Sequence, residues 1–301
     1  MNNEIHILTF GGLGNRLSSL AGGLTIAEIY DKTDITVHWF ENPACGVAFE
    51  NIFNFSKIKL GSKIIHKDWE ETEGEDRLVL ETYPNSVYYG HEPNSHTLFV
   101  KVRENHYREL AKYRNKIWIY ESNLLNFYIS IEDQIEIFKQ FIQFKKDLVD
   151  EAHEFIKTNN ISKKTLGIHL RRTTDFSANT ILPIDLVISS IQKLQNNYEN
   201  IYISTDTPEV VPEIEQAVGK CNYRQVSPCL KKGDEPFSPT NIWRGHDQVR
   251  DAVVDLIILS KTDFKIYSPY STFAMWATLL SEPIADYNNF LKNGYIREYW
   301  R

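Results

Sequence analysis

Gly167-Ile168-His169-Leu170-Arg171-Arg172-Thr173-Thr174-Asp175 passes from an apolar strand to a run of polar and charged side chains. Thr165, Leu166, Ile168 and Leu170 are apolar or β-branched, the composition of a strand buried in a parallel sheet. The strand then runs straight into two arginines, two threonines and an aspartate. A core does not accept five polar side chains in succession. A strand end of this kind belongs at the carboxyl edge of an α/β sheet, where such folds bind ligands. Paired guanidinium groups offer rigid bidentate donors suited to phosphate oxygens, so the ligand is expected to be an anion. The alternative is a surface loop whose arginines pair with nearby carboxylates.

The same pattern recurs downstream. Residues 201–204 read as a strand that ends in Thr205-Asp206-Thr207-Pro208, with a helix over 208–218. Residues 264–267 read as another, ending in Ser268-Pro269-Tyr270-Ser271-Thr272, with a helix over 273–280. Hydroxyls at a strand-to-helix turn suit a phosphate, and equally serve as plain N-caps. A further helix is expected from Pro183 to residue 194. The helix over 249–260 is apolar nearly all round, which predicts burial, yet Asp255 stands in its middle. A buried carboxylate needs a partner. That partner is either an internal cation or cap, or the N–H groups of a ligand. Three polar strand exits on one edge of a parallel sheet converge on one ligand, and this convergence outweighs any single motif.

The N-terminal part opens as strand (5–10), glycine turn, helix (17–30), strand (35–40), a βαβ unit. The turn is Gly11-Gly12-Leu13-Gly14-Asn15-Arg16-Leu17. Leu17 stands where the dinucleotide fingerprint needs its third glycine, so an NAD-dependent oxidoreductase is poorly supported. A glycine loop at a helix N-terminus still presents N–H groups to a ligand, with Asn15 and Arg16 at its mouth. The other reading is a tight turn with a solvated arginine. Phe49, Ile52, Phe53 and Phe55 form an aromatic cluster expected in the core. Residues 67–77 and 227–247 read as polar loops, 97–102 and 117–120 as strands, and 132–159 as predominantly helical.

At 301 residues two domains are expected. The boundary falls near residue 160, giving an N-terminal domain over 1–160, a C-terminal domain over 161–282 and a tail over 283–301 that packs back on the first. A net charge of −7 argues against a nucleic-acid binder. Cys45, Cys221 and Cys229 are an odd set without metal-ligand spacing, read as free thiols in a reducing compartment. The opening residues lack the basic and apolar runs of a signal peptide, and no stretch approaches the roughly 20 apolar residues of a membrane span. A cytoplasmic protein is expected, with peripheral membrane contact left open.

Taken together these motifs resemble the GDP-fucose-dependent fucosyltransferases, especially the α1,6-type and nodulation-type group. That group's His-x-Arg-Arg-Thr-Asp block is similar to His169-Leu170-Arg171-Arg172-Thr173-Thr174-Asp175, here with one extra threonine. Its Ser-Asp-Asp-Pro turn is similar to Thr205-Asp206-Thr207-Pro208. Its late segment, an arginine leading into an apolar helix with an inner aspartate and then a strand ending in paired hydroxyls, resembles residues 250–272. The glycine-rich start is similar to that of the α1,2-type enzymes. Residues 41–160 carry no such likeness.

The resemblance implies an α/β fold of the GT-B type, two Rossmann-like domains facing across a cleft, with acceptor on the first and nucleotide sugar on the second. It implies inverting transfer of fucose from GDP-fucose to a glycan hydroxyl, without a divalent metal or other cofactor. Arg171 is then the main diphosphate ligand, supported by Arg172. Ser271 and Thr272 hold phosphate oxygens. His169 and Asp255 recognise guanine. Asp206 orients the site, and Asn15 and Arg16 approach the diphosphate or sugar from the first domain. Asp175 is the candidate base. Two rivals stay open: a transferase for another GDP-sugar, and a nucleotide-sugar- or carbohydrate-binding protein without turnover.

Overall fold

Alternation of apolar strands with helices along this chain produces two parallel sheets. The computed structural model describes residues 4–9, 11–29, 31–39, 41–61, 78–81, 98–101, 117–120, 130–172, 181–228, 230–231, 242–268 and 271–282. These residues fall into two compact units, 1–40 with 48–143, and 41–47 with 144–301.

The first unit contains β1 (Glu4–Thr9), α1 (Leu13–Ile29), β2 (Asp34–Trp39), β3 (Phe53–Phe55), β4 (Ile58–Leu60), β5 (Leu78–Glu81), β6 (Leu98–Lys101), β7 (Ile117–Tyr120) and α2 (Ile131–Phe141). Its six-stranded sheet has the order β4-β2-β1-β7-β5-β6, with every pairing parallel. The helix expected from residue 17 begins earlier, and α1 is buried from Leu13 to Ala27 except at Asn15. It packs against both β1 and α2, so no side of it is left to water. Its hydroxyls stay satisfied by bonding back to the preceding turn, as Ser18 to the Gly14 carbonyl and Thr25 to that of Ala21. Phe49, Ile52 and Phe53 are core residues, with Trp39 edge-on to both phenylalanine rings, while Phe55 is exposed.

The predominantly helical stretch expected over 132–159 is two helices with a short strand between them. After α2 the chain goes extended at Ile142, and β8 (Ile142–Phe144) pairs with β3 before α3 (Lys146–Thr158) begins. Strand pairing overrides helical periodicity here. The two units divide at 143/144 rather than near 160, because α3 packs on the long helix of the second unit.

The second unit continues with β9 (Thr165–Leu170), α4 (Ile184–Leu194), β10 (Asn200–Thr205), α5 (Val211–Val218), β11 (Asn222–Tyr223), β12 (Leu230–Lys231), β13 (Ile242–Trp243), α6 (His246–Ser260), β14 (Asp263–Tyr267) and α7 (Thr272–Leu279). Four strands form a parallel sheet in the order β11-β10-β9-β14, and β12 and β13 form an antiparallel pair inside the stretch read as a loop. Every residue of β9 is buried. Leu166, Ile168 and Leu170 join Val187, Ile191, Val211 and Ile214 in one core with α4 and α5. Alternation turns Thr165, Gly167 and His169 to the other face, toward α6 and α7. Only glycine fits at 167, since a Cβ there would stand 2.1 Å from Oγ1 of Thr262.

Residues 41–47 leave the first unit's sequence neighbourhood and join the second. Asn42 forms a turn by accepting the amides of Ala44 and Cys45 on its side chain. Gly46 then donates to the Arg244 carbonyl at 2.7 Å, and Arg244 donates back to Pro43 at 2.8 Å. Residues 67–77 and the 283–301 tail lie outside the described residues.

Candidate active site

The sheet of the second unit places the three polar strand exits side by side. Register pairs His169 of β9 with Ser204 of β10 and with Tyr267 of β14. The residues that follow therefore emerge together at one carboxyl edge: Arg171 and Arg172, Asp206, and Ser268. Hydrogen bonds knit these exits to one another. The Arg171 amide donates to Oγ of Ser268 at 2.9 Å, and the Arg172 amide to Oδ1 of Asp206 at 2.8 Å. Ser268 donates its own amide to the His169 carbonyl at 3.1 Å. The β10 exit is closed locally by the Thr207 amide on Oγ1 of Thr205.

This scaffolding separates the two arginines. Arg172 donates Nη1 to the Leu182 carbonyl at 3.0 Å, so its side chain secures the chain that returns from the turn. Arg171 is anchored through its backbone. Asp206 receives the Arg172 amide and so ties the β10 exit to that of β9. Ser268 opens the third polar exit, but its bond to the Arg171 amide is not visible in the sequence. It is a small hydroxyl one residue past a strand, a signal indistinguishable from an ordinary turn until the neighbouring strand is known.

Ser271 caps α7, its Oγ accepting the Ala274 amide at 3.2 Å, and Thr272 is the first helical residue. The capping role weighed for these hydroxyls is thus filled by Ser271. It also leaves the helix N-terminus, with its positive dipole end and unpaired N–H groups, beside the strand exits.

His169 is buried, 8 % exposed, with its ring against Phe273 of α7 at 4.8 Å between centroids. Nδ1 is buried, and no described residue hydrogen-bonds to it. Burial pushes the imidazole down to about 4, with Arg171 acting the same way and Asp206 opposing both. The ring is therefore neutral near pH 7, one nitrogen a donor and the other an acceptor. A histidine depressed in this way contributes stability that is fully present above 6.5 and lost as pH falls toward about 4. We expect wild type to lose up to about 1.4 kcal/mol per pH unit across that window relative to His169→Gln. Urea unfolding of both proteins at several pH values checks this, and parallel curves would refute it.

Asp255 sits on α6, 4 % exposed, beneath the edge rather than in it. Oδ1 accepts from the Tyr202 hydroxyl at 3.0 Å and from Arg224 Nη1 at 2.9 Å, and Oδ2 from Ser204 at 2.9 Å. Burial raises its pKa, while Arg224, Ser204 and Tyr202 pull it back. The internal cation considered for Asp255 is present, and it is Arg224. No motif in the sequence marked that arginine. Asp251 stands four residues before Asp255 on the same helix face, and that spacing was the one available sign of a second acid sharing a cation.

Asn15 and Arg16 belong to the first unit. Gly11 turns the chain with φ +71, and Arg16 Nε donates to its carbonyl at 2.8 Å. Arg16 is 0 % exposed, its guanidinium 4.6 Å over the Trp39 ring. It holds the glycine loop from inside, where a solvated arginine at the loop mouth was the alternative weighed. Asn15 stays half-buried at the helix start. Asp175 lies outside the described residues. Among those residues no helix is long and apolar enough to cross a membrane, and Cys45 and Cys221 are buried free thiols.

No protein-family description and no curated protein matches this sequence. Solved structures do. The NodZ α-1,6-fucosyltransferase co-crystallised with GDP superposes with a TM-score of 0.57 at 13% identity, covering 93% of each chain. NodZ from Bradyrhizobium gives 0.57 at 14%, covering 93% of this chain and 94% of that one. POFUT1 in complex with GDP gives 0.53 at 14%, covering 95% and 97%. A mutant of FUT1 from Arabidopsis thaliana in complex with GDP gives 0.53 at 12%, covering 92% of this chain and 68% of that one. With its parallel sheets and these neighbours, the chain has an α/β fold of the GT-B type, similar to that of the fucosyltransferases.

Proposed function

We propose that this protein is a glycosyltransferase that moves fucose from GDP-fucose to a glycan hydroxyl, with inversion and without a divalent metal. The observation that carries the reading is the convergence of His169–Arg172, Asp206, Ser268, Ser271 and Thr272 at one carboxyl edge, on a fold shared with fucosyltransferases crystallised with GDP. In this reading the second unit holds the nucleotide sugar and the first holds the acceptor. Arg171 and the N–H groups at the start of α7 meet the charge that grows on the departing diphosphate. Ser271 and Thr272 lie at that helix start, and Arg172 and Asp206 keep the Arg171 turn in place. Asn15 reaches the sugar or diphosphate from the first unit, with Arg16 holding its loop. The acceptor oxygen attacks the anomeric carbon, the bond to the diphosphate breaks with its electron pair leaving on GDP, and the acceptor proton passes to a base, for which Asp175 is the candidate.

His169 and Asp255 are assigned to the guanine. The neutral imidazole supplies one donor and one acceptor near the strand edge, and Asp255 keeps acceptor capacity beside its three internal donors. Buried free thiols favour a reducing, cytoplasmic setting.

The test is a thermal-shift screen with GDP, GDP-fucose, GDP-mannose, UDP and NAD. Guanine nucleotides are expected to raise Tm and GDP-fucose to raise it more than GDP-mannose. An equal response to UDP or NAD overturns the reading, and a larger one to GDP-mannose replaces fucose with another sugar. Release of fucose from the winning donor in the presence of a chelator then tests turnover and metal independence together.

A further inference from the structure

Arg224 lies just past β11, and its side chain is only 10% exposed. It gathers three carboxylates. Nη1 donates to Oδ1 of Asp255 at 2.9 Å and to the Asp251 carbonyl at 3.1 Å. Nη2 donates to Oδ1 of Asp251 at 3.1 Å and to Glu151 of α3. Asp251 also accepts the Ser227 amide at 2.8 Å, which fixes the loop that carries the arginine. A single guanidinium thus joins α3, α6 and the chain after β11.

Of the three acids Asp255 is the deepest and the nearest to the strand edge. A carboxylate has about four acceptor positions. Among the described residues Oδ1 receives two donors and Oδ2 receives only Ser204. The remaining capacity is therefore on the Ser204 side, and Ser204 is the register partner of His169. Arg224 occupies the opposite oxygen. We propose that Arg224 is a positioning residue: it holds Asp255 with Oδ2 turned to the His169 edge, as an acceptor for base N–H groups, and so sets a preference for guanine over adenine. This deepens the GDP-sugar reading and rests on it.

The charges facing Asp255 are the Arg224 guanidinium and, beyond it, Asp251 and Glu151. Tyr202 and Ser204 contribute neutral hydroxyls. Burial alone drives Asp255 toward its protonated form, and Arg224 is the largest influence in the other direction. Guanine presents adjacent N–H donors that an ionised carboxylate accepts, whereas adenine presents a ring-nitrogen acceptor at the matching position, which it repels.

Dissociation constants for GDP, IDP and ADP, measured across pH for wild type, Arg224→Met, Arg224→Lys and Arg250→Ala, test the inference. Arg250 pairs with Asp147 across the same two helices, so its variant controls for general loosening. Arg224→Met is expected to cut the GDP-over-ADP preference by roughly tenfold or more, the scale of a hydrogen bond to a charged group. It should also move the decline of GDP affinity to higher pH. Arg224→Lys should restore part of the preference, and Arg250→Ala should keep it. An unchanged GDP-to-ADP ratio in Arg224→Met overturns the proposal. If that variant does not fold, an unchanged ratio and pH profile in Arg224→Lys does so, as does an equal loss in Arg250→Ala. Wild type without a GDP preference overturns the GDP-sugar reading itself, a separate and earlier failure.

Discussion

Replacing Arg171 by alanine is expected to lower the rate of fucose transfer by roughly 10²–10³-fold, the scale for losing one preorganised donor to a developing anion. The unfolding midpoint should stay close to that of wild type. The reason lies in how Arg171 is built in: its amide, not its guanidinium, makes the bond to Ser268 that joins the β9 and β14 exits. The β-carbon and backbone survive the substitution, so the strand edge keeps its shape while the charge is gone. Arg172→Ala is the contrast, because its Nη1 holds the Leu182 carbonyl. Steady-state kinetics with GDP-fucose, set beside thermal unfolding, read both effects. Transfer at the wild-type rate in Arg171→Ala would remove the diphosphate assignment.

Asp255→Ala should instead act on stability, by about 3–5 kcal/mol, the usual cost of removing one partner of a buried ion pair. The alanine leaves the Tyr202 and Ser204 hydroxyls without their acceptor and Arg224 partly uncompensated. For a unit of this size the loss corresponds to a fall of roughly 10 °C in Tm. Thermal and urea unfolding of the variant measure it. A variant as stable as wild type would mean that the network costs as much desolvation as it returns in attraction, which buried pairs sometimes do. Asp251, still on Arg224, sets a floor under the damage.

The two variants mark where reading the sequence worked and where it stopped. The edge that carries Arg171 was legible because parallel strands announce themselves by unbroken apolar runs, and Leu166, Ile168 and Leu170 could lie nowhere but in a core. The polar residues after Leu170, Thr205 and Tyr267 then had to emerge together, given only that the strands are neighbours. The break between α2 and α3 was not legible, because Ile142 and Phe144 fit a helical stripe as well as a strand. Their pairing with a strand about ninety residues earlier decided the matter. Residues 41–47 likewise carry no sign that they belong with Arg244, since the two backbone hydrogen bonds that hold them use no side chain.

His169-Leu170-Arg171-Arg172 thus followed from the sequence as a buried strand that ends in charged residues, because burial and charge are local properties written residue by residue. What distinguishes the surroundings of Arg171 from those of Arg172, and what balances Asp255, came from the packed fold alone. Arg171 and Arg172 are the same residue type one position apart, and Ser268, Asp206 and Leu182, brought in from elsewhere in the chain, bond them differently. Asp255 and Arg224 are 31 residues apart, in a helix and in the chain after a strand. Nothing short of the packed fold brings their charges within 2.9 Å.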